Sequence, residues 1–206
     1  MKKRNMAAVW LSLFVLWTVL VRIIDVRPIG PEGSMVGFAA LNGWFHSLTG
    51  VHMALYTITD WLSIIPLGIA AGFGLLGLCQ WVKRKSIRRV DRDLLMLGCF
   101  YGAVLAVFAF FEVMVINYRP ILIEGVLEPS YPSSTTMLVM CIIPTAVMRC
   151  RRKWLSVLVT AFAIFMVAAR LLSGVHWLTD IIGGALLSAG LVSLYKSPKG
   201  LYSKVT

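Results

Sequence analysis

Six apolar runs, with basic clusters in alternate connections between them, constrain this chain more than any other feature. They cover about Met6–Ile24, Trp61–Val82, Leu94–Ile116, Ser134–Met148, Trp154–Ala169 and Trp177–Tyr195. A helix needs roughly 20 apolar residues to cross a bilayer, so the runs read as membrane spans, the fourth and fifth being short. With 59% hydrophobic and 14% charged residues, the 206-residue chain has too little polar surface for a soluble domain of its size. The expected fold class is all-α, a polytopic membrane helical bundle of six transmembrane helices forming a single domain over residues 1–206.

The formal net charge of +11 is placed to set topology. Basic residues cluster at Lys2–Arg4, at Lys83, Arg84, Lys85, Arg88, Arg89 and Arg92, at Arg149, Arg151, Arg152 and Lys153, and at Lys196, Lys199 and Lys204. These are 16 of the 20 basic residues, and alternation of the spans puts them all on one side. The positive-inside rule makes that side cytoplasmic, with both termini inside. Arg22, Arg27, Arg119 and Arg170 are left at the outer ends of spans. No basic face with interleaved aromatics is present, so nucleic acid is excluded as a partner. The first run reads as an uncleaved signal anchor, since no Ala-x-Ala-like site follows it. Of Cys79, Cys99, Cys141 and Cys150, three fall in spans and one in an inner loop, so no outer-face disulfide is expected.

The outer segment from Asp25 to Asp60 is expected to hold an interfacial helix through Trp44 and Phe45, capped by Ser34 and ended by Gly50. His46 and His52 within it are read as packing or interfacial residues. Gly68 and Gly72 form a small-xxx-small pattern, read as close helix packing.

Three outer segments are unusually polar for their setting: Asn117-Tyr118-Arg119-Pro120, Tyr131-Pro132-Ser133-Ser134-Thr135-Thr136, and Arg170 through Asp180. Ionisable groups at membrane depth are costly, which makes them functional candidates by default. His176 and Asp180 are four apart at the start of a helix and share a face. A carboxylate there can accept a proton from one imidazole nitrogen and leave the other free to attack. Arg119 and Arg170 offer planar forks of donors suited to phosphate oxygens. Ser133 and Ser134 open a helix whose N-terminal N–H groups also favour an anion. Singly, each has a plain alternative: arginines snorkel to lipid headgroups, and a His–Asp pair at helix spacing is more often structural. Together they describe a phosphate site with a nucleophile. Carboxylates are too few and scattered for a metal cage, and no cofactor is implied.

These motifs resemble the type-2 phosphatidic acid phosphatase (PAP2) superfamily, which also includes vanadium haloperoxidases. Its signature is Lys-x6-Arg-Pro, then Pro-Ser-Gly-His, then Ser-Arg-x5-His-x3-Asp. Arg119-Pro120 matches the end of the first motif, Pro132-Ser133 the start of the second, and Arg170, His176 and Asp180 the third at its spacing. The resemblance implies two-step phosphoryl transfer from a lipid phosphate. His176 attacks phosphorus to form a phosphohistidine, Asp180 orients it, and Arg119, Arg170 and the Ser133–Ser134 turn hold the phosphoryl oxygens.

Four positions depart from the pattern: Glu112 stands where Lys is expected, Ser134 for Gly, Thr135 for His and Ala169 for Ser. The missing His is the family's leaving-group acid, worth about 10²–10⁴-fold in rate. Three accounts stay open. The leaving group needs no acid, as with a diphosphate; or Glu112, Tyr118, Glu124 or Glu128 supplies the proton; or the protein binds lipid phosphate as a sensor or scaffold. Glu112 is read first as an intramembrane partner for an arginine. A phosphotransferase is not separable from a hydrolase on these residues, and oligomeric state is not encoded in them. A transporter fits least, since no span carries a chain of midplane charges.

Overall fold

The computed structural model describes residues 2–149 and 152–195. Cys150, Arg151, Lys196, Lys199 and Lys204 lie outside the described residues, as do the side chains of Lys2, Lys3 and Arg4. The helices are α1 (Lys2–Ile23), α2 (Ala39–Thr49), α3 (Met53–Leu62), α4 (Ile64–Arg84), α5 (Arg92–Val113), α6 (Ser134–Val147), α7 (Lys153–Leu172) and α8 (Leu178–Tyr195).

Apolar length explains most of this list. Among the described residues five helical stretches are long and apolar enough to cross a membrane: α1, α3 joined to α4, α5, α7 and α8. The sixth expected span, α6, has 14 residues. At about 1.5 Å per residue it is roughly 21 Å long, short of a hydrocarbon core of about 30 Å. Trp61 (74% exposed), Val113 (81%) and Val157 (69%) face outward from the bundle, where only lipid makes apolar exposure cheap. The chain is a multi-pass membrane protein.

Helix α6 sits innermost, packed on α4, α5, α7 and α8, with α1 laid along α8. Phe14, Val21, Leu97, Phe100, Val104, Tyr131, Met137, Leu187 and Val192 form the main apolar core, and Val139, Ile143 and Met166 a second one. Tyr131 anchors the loop entering α6: its hydroxyl is 2.7 Å from the Thr18 hydroxyl on α1. Its ring lies where any side chain at Gly183 would stand, so that glycine lets α8 close on the loop.

The segment before α3 differs from expectation in how it is capped. Gly50 does end α2, at φ 68° with its N–H bonded to the His46 carbonyl at 2.8 Å. Ser34 does not begin it; its N–H instead closes a short turn on the Pro31 carbonyl. The cap comes from Asp25, whose Oδ2 accepts the Ala40 N–H at 2.7 Å. That bond, with Arg27 alongside, holds the Asp25 carboxyl below the usual range. A carboxylate brought from outside the helix satisfies a first-turn donor as well as a local serine does.

Helix α3 was not expected as a separate element. With α4 alone long enough to span, at 21 residues, the ten residues of α3 are left to pack against α7 at the long-loop end. The Gly68 and Gly72 pattern is also corrected: nothing lies within 4 Å of a side chain placed at either position, so neither mediates close packing within the described residues. Cys79, Cys99 and Cys141 are free thiols.

Candidate functional site

The connections 24–38, 50–52, 114–133 and 173–177 gather at one end of the bundle, and the polar motifs meet there. His176 lies in the connection between α7 and α8, not inside a helix, while Asp180 sits in the first turn of α8. Their approach is therefore set by the turn: the Trp177 N–H donates to Asp180 Oδ2 at 2.9 Å, an N-terminal cap of α8. His176 Nδ1 and Asp180 Oδ2 are 3.9 Å apart, beyond hydrogen-bonding reach. Asn117 Nδ2 donates to Asp180 Oδ1 at 3.2 Å, and Ser130 Oγ donates to Oδ2.

Loop 173–177 is held from above by α2 and α3. The His52 N–H donates to the Ser173 carbonyl at 2.9 Å, and His46 Nε2 lies 3.1 Å from the Gly174 carbonyl. His46 also packs on the Trp177 ring, 5.5 Å between centroids. This is the packing role expected of it. Gly174 has φ +69°, and a Cβ there would collide with the Gly50 carbonyl, so both its conformation and its closeness require glycine.

Two arginines complete the site. Arg170 is 3% exposed, and its Nε and Nη2 donate to Thr135 Oγ1 at 3.0 and 2.5 Å. Its Nη2 also lies 3.4 Å from Asp60 Oδ1 at the rim. Arg119 pairs through Nε with Glu128 Oε2 at 3.0 Å. Glu112 makes no ion pair among the described residues, so the expectation that it partners an arginine is corrected to Glu128 for Arg119 and Asp60 for Arg170. Both guanidiniums lie over the Tyr56 ring of α3, Arg170 at 4.8 Å from the centroid and Arg119 at 5.8 Å. A shared π-face offsets part of the repulsion between two cations, by about 0.5–2 kcal/mol per contact.

Within this site, among the described residues, Arg119 Nη1, Arg170 Nη1 and His176 Nε2 are buried polar atoms with neither a hydrogen-bond nor an ion-pair partner. Two guanidinium donors and one imidazole nitrogen are thus left open, the donors beside the cavity described below and the imidazole beside the crevice next to it. Burial, then Arg119 and Arg170, push the His176 imidazole well below the usual histidine range, so it is neutral at pH 7. Neutral imidazole is the form that can attack.

The remaining expected residues fall as follows. Ser133 Oγ is used as the cap of α6, accepting from the Thr136 N–H at 3.4 Å. The N–H groups of Ser134 and Thr135 in that first turn have no intrahelical acceptor. Glu112 lines a narrow crevice with His176, Ser130 and Ser134. Tyr118 contributes its carbonyl, which accepts from Trp177 Nε1 at 2.7 Å. Glu124 lies in an exposed turn between Ile123 and Val126 and lines neither this crevice nor the cavity beside it. That cavity, of about 460 Å³, runs from Arg119, Arg170, Asp60 and Thr135 down an apolar wall of Leu67, Val104, Leu105, Phe108, Leu138 and Ile142.

Tyr56, Asp60 and Ser130 escaped the sequence reading. Tyr56 and Asp60 sit one helical turn apart on α3, in the part of the outer segment beyond Gly50 where no separate helix was expected.

The architecture to compare with known proteins is a helical membrane bundle with polar side chains gathered at one end. A family model of the PAP2 superfamily matches residues 113–197. The fold matches the crystal structure of the first transmembrane PAP2-type phosphatidylglycerolphosphate phosphatase from Bacillus subtilis, with a TM-score of 0.55 and 19% sequence identity over 93% of this chain and 94% of that one. A search of curated proteins found no match. The sequence match to the PAP2 superfamily covers residues 113–197, and the fold similarity covers nearly all of the chain. The family match supports a phosphatase-type function.

Proposed function

We propose that this single-domain chain hydrolyses a lipid phosphate through a phosphohistidine on His176, at the face of the membrane opposite its basic loops. The observation that carries this reading is the trio of open buried atoms, Arg119 Nη1, Arg170 Nη1 and His176 Nε2. Phosphoryl transfer is catalysed mainly by positioning and charge stabilisation, and these atoms supply both.

In the first step the Nε2 lone pair attacks phosphorus, forming an N–P bond as the P–O bond to the lipid breaks. The two Nη1 groups and the first-turn N–H groups at Ser134 and Thr135 hold the phosphoryl oxygens. Asp180 stabilises the positive charge that develops on the ring. Water then attacks phosphorus, the N–P bond breaks, and phosphate leaves with His176 restored. Asp60 and Glu128 must release the arginines, and both carboxylates are the exposed partners of their pairs, at the rim where an incoming phosphate can replace them. The apolar wall below the arginines suits a hydrocarbon chain, which favours a lipid over a soluble ester.

Thr135 is occupied by Arg170 and has no acidity to offer near neutral pH. The leaving group therefore departs as a stabilised anion, as from a polyprenyl diphosphate, or takes its proton from Glu112, which lines the crevice with His176. Lipid phosphomonoesters such as phosphatidic acid or phosphatidylglycerol phosphate require the second route. A second reading, a binder of lipid phosphate without turnover, draws on the same Thr135 and on the carboxylates already seated on both arginines.

Orientation follows from charge. The last turn of α4 and the loop to α5 carry Lys83, Arg84, Lys85, Arg88 and Arg89 at the end remote from the site, which favours a site facing the exterior or periplasm.

The test is phosphate release by purified protein in lipid nanodiscs from a panel of lipid mono- and diphosphates. Release by wild type and its loss in His176→Ala, with an acid-labile, base-stable phosphoryl group trapped on the wild type, is expected. Equal release by the two proteins on every substrate sinks the phosphatase reading, and tight lipid-phosphate binding without release establishes the binder.

A further inference from the structure

The sequence places Asp180 directly against His176, but a third side chain stands between them. Ser130 Oγ is 3.2 Å from His176 Nδ1 and donates to Asp180 Oδ2, filling the 3.9 Å gap between the two. All three residues are buried: Ser130 and His176 are each 3% exposed and Asp180 is fully enclosed.

Counting protons decides what this bridge does. A serine hydroxyl has one proton to give and lone pairs to accept with. The Asp180 carboxylate accepts on both oxygens, from Asn117 Nδ2, the Trp177 N–H and Ser130 Oγ. The Ser130 proton therefore points to Asp180, and only lone pairs face the imidazole. His176 Nδ1 must then be the protonated nitrogen, leaving Nε2 bare, and Nε2 is the ring atom with no partner in the buried site.

The hydroxyl is held in place independently of the histidine. The Ser130 N–H donates to the Asn117 carbonyl at 2.9 Å, while the Asn117 side chain reaches Asp180 Oδ1. Asn117 thus ties the loop carrying Ser130 and the first turn of α8 to one anchor. Tyr131, the next residue, is fastened to Thr18 of α1.

We propose that Ser130 is a positioning residue that fixes His176 in the Nδ1–H tautomer and passes the charge of Asp180 to it. The geometric claim concerns the resting protein. Its consequence for rate rests on the reading of His176 as nucleophile.

The experiment separates the two. Protein labelled with ¹⁵N-histidine, with His176→Gln assigning the signal among the chain's three histidines, reports which ring nitrogen of His176 carries the proton. Wild type is expected to show Nδ1–H alone. Ser130→Ala is expected to show a mixture of tautomers and a kcat lowered about 10- to 100-fold with KM little changed, the usual cost of losing a residue that orients a functional histidine. Ser130→Thr, which keeps the hydroxyl, is expected to restore both. An Nε2–H tautomer in the wild type overturns the proposal whether or not any variant folds. So does a Ser130→Ala protein with wild-type spectrum and kcat. If wild type shows the Nδ1–H tautomer, dependent on Ser130, but releases no phosphate from any lipid, the positioning role stands and the phosphatase reading falls.

Discussion

At the scale of single residues, the site is a neutral histidine beside two cations. Burial and the charges of Arg119 and Arg170 depress the His176 imidazole, so protonation, which abolishes attack, is displaced to low pH. The sign is clear: a lowered value extends the active, neutral form below the ordinary histidine value of 6.5. The acid limb of kcat/KM is expected well below that value, and half-loss of activity at pH 6.5 or above would count against a buried neutral nucleophile. The same depression means that the unfolded chain takes up this proton first, so the contribution of His176 to stability is full above pH 6.5 and declines as pH falls. Tyr56 is testable at this scale as well. Tyr56→Ala removes the π-face under both guanidiniums and should raise KM roughly 2- to 30-fold, the equivalent of about 0.5–2 kcal/mol. Tyr56→Phe keeps the ring and should stay near wild type; equal effects of the two would assign the role to the hydroxyl instead.

At the scale of elements, the loop between α7 and α8 matters most, because α2 and α3 press it into shape. Gly174 touches the Gly50 carbonyl at a positive φ, so Gly174→Ala combines strain with a clash. A loss of about 1–3 kcal/mol is expected, together with reduced phosphate release, and a thermal melt in detergent reads the first. Gly72 is the counterpart in α4, with open space where its side chain would be. Gly72→Ala should leave the melt unchanged or raise it by removing unfolded-state freedom, worth about 0.4–1 kcal/mol. A marked loss there would show that the small-residue stripe packs against something after all.

At the scale of the whole molecule, the asymmetry of charge is the organising quantity. The end bearing the α4–α5 loop is basic, whereas the site end sets carboxylates at Asp25, Asp60, Glu112, Glu124 and Glu128 among its arginines. In a background without native cysteines, Gly125→Cys should react with a membrane-impermeant thiol reagent in intact cells and Ser86→Cys should not. The reverse pattern would place the site in the cytoplasm.

The sequence by itself determined the long apolar helices, though not α3, and the end of the bundle where the polar motifs gather. Hydropathy and basic loops are local quantities, readable from a window of one helix length, and α1, α4, α5, α7 and α8 stand where the apolar runs predicted. The motif residues Arg119, Arg170, His176 and Asp180 were likewise legible, since each sits where a span ends. Only the tertiary structure decided what touches what. Ser130 between His176 and Asp180, Tyr56 beneath two arginines, Asp25 capping α2 and Arg170 closing on Thr135 are contacts between chain segments brought together by packing. No periodicity marks such contacts, because a side chain reaching across a loop leaves no trace in the residues beside it. The His–Asp pair shows the difference most plainly. Its spacing of four was visible in the sequence, while the turn that carries it and the hydroxyl that joins it came from the fold.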